Sequence, residues 1–317
     1  MKIRIGIVGY GNLGKAVEEE LLKNSRFKLV AIFSRRTVIS KFETPIEPYQ
    51  NFKLFNNKID VMLLCGGSLQ DLEPQTEQIT EYFDCINSFD NHLKISNHLE
   101  TINQIATKSR HHAIVSCGWD PGLFSNMRAL FYKILSAEPH TFWGKGISMG
   151  HSDAIRQIEG VDDGVQFTIP NKEAIKLVKH NKFDTQIPKH FRECFVFTTN
   201  GNKSEIENNI KLLPNYFKGQ PTTVEFVSQD RLLKLKSKIF HSGEVVGVGT
   251  ALNSSKFVLN FKAKMSSNPI FTAKIMVAYI DAILKLKQTK SYGAFTVLDI
   301  PISYLFPDQK QLINKFC

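Results

Sequence analysis

Apolar and polar positions alternate from the first residues: Ile3, Ile5 and Ile7 are separated by Arg4 and Gly6, and Val8 extends the apolar run. This is the pattern of a strand that becomes buried. In "NLGKAVEEELLKN" the period changes, with Leu13, Val17, Leu21 and Leu22 at helical spacing. "FKLVAIF" returns to a strand, and "IDVMLLC" is a third, followed by the helical "LQDLEPQTEQITEYF". "DCINSF", "HLETINQIATKSR" and "AIVSCGW" then repeat strand, helix and strand. Regular alternation of this kind predicts an α/β unit: a doubly wound parallel sheet with right-handed crossovers.

Around Trp119 the order changes. A helix, "GLFSNMRALFYKIL", leads into the strands "HTFWGKGI", "VQFTIP", "HFRECFVFTT", "TTVEFV", "EVVGVGT" and "FVLNFKAKM", with few helices between them. That predicts an α+β domain on a mixed, mainly antiparallel sheet. After Asn268-Pro269 one long helix is expected, with Phe271, Ile275, Tyr279 and Ile283 on a single stripe. The expected domains are 1–118 and 119–268, with 269–317 packing back onto the first. A length of 317 residues suits two domains with cores of their own.

The turn after the first strand reads "GYGNLG", which places Gly9, Gly11 and Gly14 in G-x-G-x-x-G spacing between a strand and a helix. In that context the glycines serve a tight turn, close approach of the backbone to a pyrophosphate, and close helix–strand packing. The first domain is therefore expected to be a Rossmann-type dinucleotide-binding unit. The second strand should end at the ribose, where an acid would select NAD. Here it ends in Ser34, Arg35 and Arg36. Two guanidiniums can pair with a 2′-phosphate and the serine hydroxyl can donate to it, so the expected cofactor is NADP. The candidate cofactor contacts are Gly9, Tyr10, Gly11, Asn12, Leu13, Gly14, Ser34, Arg35 and Arg36. Cys65, Gly66, Gly67 and Ser68, after the third strand, complete the set.

Composition narrows the classes that remain. An apolar fraction of 42% and 24 phenylalanines describe an ordinary globular chain. No run is long and apolar enough to span a bilayer, and the immediate entry into a strand leaves no room for a signal peptide, which makes the cytoplasm the expected location. The cysteines at 65, 85, 117, 194 and 317 include no C-x-x-C pair and read as small hydrophobes, and no metal site is expected. The formal charge of +10 favours anionic ligands. Its lysines are dispersed, as in "KEAIKLVKHNK" and "LKLKQTK", which fits solvated helix faces and not a nucleic-acid surface.

Two later strands end in acids at the edge where such sheets bind ligands: Asp90 in "INSFDNH" and Asp120 in "SCGWDPG". Paired carboxylates beside a nicotinamide suit a cationic amine. Each could instead cap the helix that follows, Asp120 with Pro121 at the first helical position. At these residues the chain resembles the meso-diaminopimelate D-dehydrogenase family. The resemblance runs essentially end to end through "VGYGNLG", "IFSRR", "DNH", "GWDPG", "HTFWG", "GHSDA", "RECFV", "NPIFTA" and "GAFTVL". It implies NADP-dependent oxidative deamination of the D-centre of meso-2,6-diaminopimelate to L-2-amino-6-oxopimelate and ammonium. It also implies a homodimer acting in lysine and cell-wall precursor metabolism, with the second domain serving substrate binding and dimerisation.

By the same resemblance Asp90 and Asp120 flank the reacting amino group, and Trp119 and Trp143 line the cavity. Met149 and Gly150 present backbone groups to the D-centre carboxylate, while Thr168, Arg192, His241 and Asn268 grip the distal L-centre. Arg192 is a natural fork for a carboxylate, on a strand face shared with Cys194 and Val196. Met149 departs from the pattern: well-known members carry glutamine there, and members with methionine accept a wider range of D-amino or 2-oxo acids. The general base is left open among His92, His151 and the two aspartates. Two other readings stand beside this one: a different NADP-dependent two-domain reductase, or broad D-amino acid dehydrogenase, and a non-catalytic NADP sensor.

Overall fold

The protein is described by a computed structural model covering residues 2–68, 70–237 and 240–317. In chain order the first elements are β1 (Ile3–Val8), α1 (Asn12–Leu22), β2 (Phe27–Ser34), β3 (Ile46–Pro48), β4 (Val61–Leu64), α2 (Leu72–Thr80), β5 (Asp84–Asn87), α3 (Ile95–Ser109) and β6 (His112–Ile114). Then follow α4 (Leu123–Leu135), β7 (His140–Trp143), β8 (Gly146–Ile147), α5 (Met149–Arg156), β9 (Asp163–Pro170), α6 (Lys172–Lys179), β10 (His190–Phe197), α7 (Lys203–Leu212), β11 (Thr222–Phe226) and α8 (Gln229–Lys236). The chain closes with β12 (His241–Thr250), β13 (Lys256–Met265), α9 (Asn268–Ala278), α10 (Ile280–Thr289), β14 (Gly293–Phe295) and α11 (Gln309–Phe316). Leu69, at the start of the expected helix after the third strand, lies outside the described residues.

Two compact units result: Met1–Asn126 with Pro269–Cys317, and Met127–Asn268. The division falls inside α4. In the first unit seven parallel strands run in the order β14-β6-β5-β4-β1-β2-β3. Alternate residues of the same strands feed opposite faces, as strand geometry requires. Ile5, Ile7, Ile32 and Leu63 pack with Val17 and Leu21 of α1 and with Met276, Ile280 and Ile283 of the C-terminal helices. Val8, Phe33, Met62 and Leu64 pack on the other face with Leu72, Ile79 and Ile102 of α2 and α3. Covering helices on both faces explain the nearly continuous apolar runs of these strands.

The second unit holds two sheets. Strands β11-β10-β9-β8 form one, antiparallel apart from the parallel pair of β10 and β11, and β13-β12-β7 form an antiparallel other. Four short helices, α5 to α8, interrupt the strands where few were expected. Three of them carry side-chain caps at Asn171, Asn202 and Ser228. Their buried stripes are narrow: α6 buries only Ala174 and Val178. The C-terminal helix also differs from expectation. It is broken at Tyr279 into α9 and α10, and α9 buries Thr272, Ala273, Met276 and Val277. Among the described residues no helix is long and apolar enough to cross a membrane.

The C-terminal segment is fastened to the first unit by charge as well as by apolar contact. Asp84 is 3% exposed and accepts hydrogen bonds from the His112 backbone N–H (2.7 Å) and ring Nδ1 (3.0 Å), and Lys287 Nζ of α10 lies 2.7 Å from its other oxygen. Burial alone would raise the Asp84 pKa, but bonds from His111, His112 and Lys287 outweigh it and hold the carboxyl well below its ordinary range. Replacing Asp84 by alanine should cost about 3 kcal/mol near neutral pH, because a buried N–H and an ammonium lose their acceptor. The carboxylate's contribution is fully present above its unfolded pKa of about 3.9 and is lost as pH falls below it. The gap in denaturant midpoint between the two proteins should therefore narrow steadily as pH falls from about 4 to about 2 without closing; a gap that stays constant over that range contradicts this account.

Candidate active site

The glycine turn has the geometry a pyrophosphate needs. Gly9 has φ +89°, and a Cβ on Gly14 would lie 2.1 Å from the Gly9 carbonyl oxygen, so only glycine lets α1 sit this close. A Cβ on Gly11 would meet no atom within 4 Å, and Gly11 caps α1 without a side chain. The helix N-terminus therefore faces open space that suits an anion. The Cys65 backbone packs 3.2 Å from the Cβ position of Gly9, which brings the segment after β4 against the turn containing Tyr10, Asn12 and Leu13. These features fit a dinucleotide.

Arg35 and Arg36 are exposed at the end of β2. The Ser34 hydroxyl is already engaged: it donates to the Arg36 carbonyl (2.8 Å) and accepts from the Arg36 N–H (3.1 Å), shaping the arginine turn. Asp71 is a residue that sequence reasoning missed. It occupies the N-cap position of α2, but its carboxylate does not cap the helix. One oxygen pairs with the Arg35 guanidinium and the other accepts the Gly67 N–H at 3.1 Å, joining the loops after β2 and β4. The Ser68 hydroxyl in turn accepts the Asp90 N–H at 3.1 Å.

α3 begins at Ile95 with Lys94 as its cap, and α4 begins at Leu123, so Asp90 and Asp120 both stand in the loops before those helices. Asn268 opens α9 as its first helical residue. Trp119 is 7% exposed and packs edge-on against Phe124, with ring centroids 5.0 Å apart. Asn87 at the end of β5, also missed, sits beneath both acid loops and is fully buried. Its Oδ1 accepts from the Phe89 and Ser116 N–H groups, each at 3.0 Å, and its carbonyl accepts the Cys117 N–H at 2.8 Å. Its Nδ2 reaches Thr76 Oγ1 (3.0 Å) and His98 Nε2 (3.2 Å). Burial lowers the His98 pKa and so favours the neutral ring.

In the second unit, antiparallel pairing sets Arg192 directly opposite Thr168. Arg192 is 8% exposed; its Nη1 donates to Thr168 Oγ1 at 2.5 Å, and its Nε has no hydrogen-bond partner. Gln166, two residues along and fully buried, bonds the same hydroxyl at 3.2 Å and steadies it. Gly146 pairs with Thr168, and a Cβ there would lie 2.6 Å from His241, so glycine lets β8 approach that histidine. His241 Nδ1 donates to the Ser242 carbonyl at 2.8 Å. It pairs with Met265, three residues before Asn268. The Trp143 ring stacks on His190 at 5.0 Å, and its backbone N–H donates to His190 Nε2 at 2.8 Å. Met149 and Gly150 begin α5, whose cap Ser148 makes no side-chain capping bond; a Cβ on Gly150 would meet nothing within 4 Å. The second unit thus gathers Trp143, Thr168, Arg192 and His241, while Asp90, Asp120 and Trp119 belong to the first.

The family model described as the diaminopimelic acid dehydrogenase C-terminal domain matches residues 118–267. The meso-diaminopimelate D-dehydrogenase of Ureibacillus thermosphaericus is 43% identical over 99% of this chain and 98% of its own. This chain belongs to the meso-diaminopimelate D-dehydrogenase family. Among solved structures, the Corynebacterium glutamicum DAP dehydrogenase in complex with DAP is similar with a TM-score of 0.95 and 34% identity, covering 100% of this chain and 99% of its own. An engineered D-amino acid dehydrogenase bound to NADP+ is similar with a TM-score of 0.93 and 33% identity, covering 100% of both chains.

For a member of the meso-diaminopimelate D-dehydrogenase family the electrostatics of the second unit are informative. Burial, reinforced by the charge of Arg192, pushes His151 down to about 3, and burial does the same to His190. His190 is therefore neutral and can accept the Trp143 N–H. His151 lies edge-on to Tyr216 and Phe217 with Ser148 Oγ 2.8 Å from its Nδ1, and so weak a base is poorly matched to proton abstraction near neutrality. Burial lowers Arg192 to about 10, which leaves it cationic at neutral pH.

A buried cation with an unmatched N–H stabilises a fold little. Arg192→Met should accordingly leave the melting temperature of the ligand-free protein unchanged or raise it. A fall of more than about 10 °C would show that the guanidinium is structural.

Proposed function

We propose that this chain catalyses the NADP-dependent, reversible oxidative deamination of the D-centre of meso-2,6-diaminopimelate, giving L-2-amino-6-oxopimelate and ammonium. The observation that carries the reading is Arg192: a buried guanidinium, held at one end by Thr168 and unmatched at Nε, in a chain whose relatives act on a dicarboxylate with two amino-acid ends. An enzyme for such a substrate must hold one end in order to expose the other. Arg192 and Thr168, with His241 and Asn268, take the distal carboxylate and amine. The open N-terminus of α5 at Met149 and Gly150 receives the D-centre carboxylate. Trp119 and Trp143 are the apolar walls.

When bound, NADP supplies the nicotinamide carbon that accepts hydride. Gly9 to Gly14 and Cys65 to Ser68 hold its pyrophosphate and neighbouring groups, and Ser34, Arg35 and Arg36 its 2′-phosphate. Asp90 and Asp120 accept N–H bonds from the substrate ammonium and orient it, and one of the two carboxylates takes up, directly or through water, the proton that the ammonium loses so that the nitrogen lone pair can form the C=N bond. As the Cα–H pair leaves, positive charge stays on the C=N group, where the two carboxylates stabilise it. Water then adds at that carbon and ammonia departs. The protein works in the cytoplasm as a homodimer, in lysine and cell-wall precursor metabolism.

The test is absorbance at the NADPH band with purified protein, NADP and each diaminopimelate stereoisomer, repeated with NAD and with D-alanine. Turnover confined to the meso isomer is expected from the two-ended grip. Comparable turnover on D-alanine would show that Met149, 40% exposed, leaves the D-centre side permissive. No turnover with any amine would leave the sensor reading. Arg35→Ala with Arg36→Ala should lower kcat/KM for NADP about 100-fold and that for NAD less than about threefold, since only NADP offers a 2′-phosphate. Equal losses would place the phosphate elsewhere.

A further inference from the structure

One buried carboxylate is used by neither the chemistry nor the cofactor contacts described above. Glu18, in the second turn of α1, is 0% exposed. One of its oxygens accepts from the Tyr10 hydroxyl and the other from the Ser40 hydroxyl at 2.6 Å. The Tyr10 oxygen accepts the Lys41 N–H at 3.1 Å, and the Ser40 oxygen accepts the N–H groups of Phe42 and Thr44, each at 3.0 Å. A single carboxylate therefore ties three things together: helix α1, the glycine turn through Tyr10, and the loop that follows the arginines.

The segment's ends explain why that knot matters. Before Arg35 the chain is fixed by β2, which pairs with β1 and β3; after it, Ile32 N–H reaches Pro45 O at 2.9 Å as the chain returns to β3. Between these points residues 35–44 are an excursion with few apolar anchors, and Ser40 and Lys41 are its interior attachment. The pyrophosphate position is set by α1 and Gly9 to Gly14. The 2′-phosphate position follows from it through the rigid adenosine, so the arginines must keep a constant offset from α1.

We propose that Glu18 is a positioning residue for cofactor selectivity: through Ser40 and Tyr10 it holds the Arg35–Arg36 segment in register with the phosphate-binding helix. The inference rests on the reading of Arg35 and Arg36 as the 2′-phosphate ligands. NAD needs only the pyrophosphate turn, so loosening the loop penalises NADP selectively. A merely structural role would weaken both cofactors in step.

The experiment compares Ser40→Ala, Glu18→Leu and Glu18→Gln with the unaltered protein, using titrations of NADP and NAD, kcat at saturating NADP, and thermal melting. Ser40→Ala and Glu18→Leu are expected to raise the Kd for NADP about tenfold, the loss of one hydrogen bond to a charged group, with NAD within about twofold and kcat held. Glu18→Gln, which keeps an acceptor for Ser40, should recover part of the loss. Equal weakening of NADP and NAD, or no change in either, overturns the proposal. Should Glu18→Leu fail to fold, Ser40→Ala decides the question alone, because it removes the attachment without burying a new side chain. The Arg35→Ala, Arg36→Ala protein is the control. If it leaves the NADP-to-NAD ratio intact the pocket reading has failed; if it lowers the ratio while Ser40→Ala does not, only the role of Glu18 has failed.

Discussion

The close approach of α1 to the turn after β1 sets the frame for the first unit. With Gly14 lacking a side chain, the helix rests against the Gly9 carbonyl, and its uncapped N-terminus opens where the Cβ of Gly11 would have been. A methyl group at Gly14 would push the helix away and displace everything measured from it. The apolar face of α1, through Val17 and Leu21, is the same face on which the C-terminal helices close the core. Local backbone geometry at two glycines is thus coupled to long-range packing, and through that packing to the position of the strand ends that carry function.

Those strand ends are organised by polar side chains that are buried and fully used. Asn87 spends its amide on four partners and its own carbonyl on a fifth, so the loops bearing Asp90 and Trp119–Asp120 hang from one residue. Asp71, only half-buried, joins the loops after β2 and β4 in a similar way. A hydrogen bond of this kind contributes only about 1 kcal/mol of net stability, but leaving its partner unmatched costs about 1–3 kcal/mol. That asymmetry makes such residues good locks: alternative loop positions are penalised even though the native one gains little.

The parallel sheet was legible because two-sided burial writes unbroken apolar runs into β1, β2 and β4, and because strand and helix periods alternate without interruption. The glycine turn was legible from its spacing between a strand and a helix, and the resemblance of "GWDPG" and "RECFV" carried the family. The four short helices of the second unit were not, since two buried residues in α6 make too narrow a stripe to stand out among its lysines. Asn87, Asp71 and Gln166 were illegible for another reason. A polar residue at a strand end or a helix start has an ordinary local explanation, as a turn former or a cap. Only the partner, many residues away, reveals the role. The basic surface belongs to the legible but uninformative part: Lys23, Lys94 and Lys211 pair with nearby acids, whereas Arg192 is buried and, among the described residues, pairs with no acid.

Satisfied and unsatisfied buried polar groups therefore mark different tasks. Asn87 and Gln166 have partners within the protein, and each holds something else still. Among the described residues Arg192 forms no ion pair; its Nη1 donates to Thr168 and its Nε meets no acceptor. The neighbouring histidines add no compensating negative charge: His151 and His190 are pushed toward neutrality by burial and by the guanidinium itself. A cation retained in such surroundings is a standing cost to the folded state, and an anion is the partner that would remove it. Binding energy from a distal carboxylate would thus be drawn partly from relief of that cost, so the second unit would gain more from a dicarboxylate than from a simple D-amino acid with the same reacting centre. On the proposed reading, discrimination of substrate by length would follow from where the protein leaves a charge unmatched, and not from how tightly it surrounds the reacting carbon.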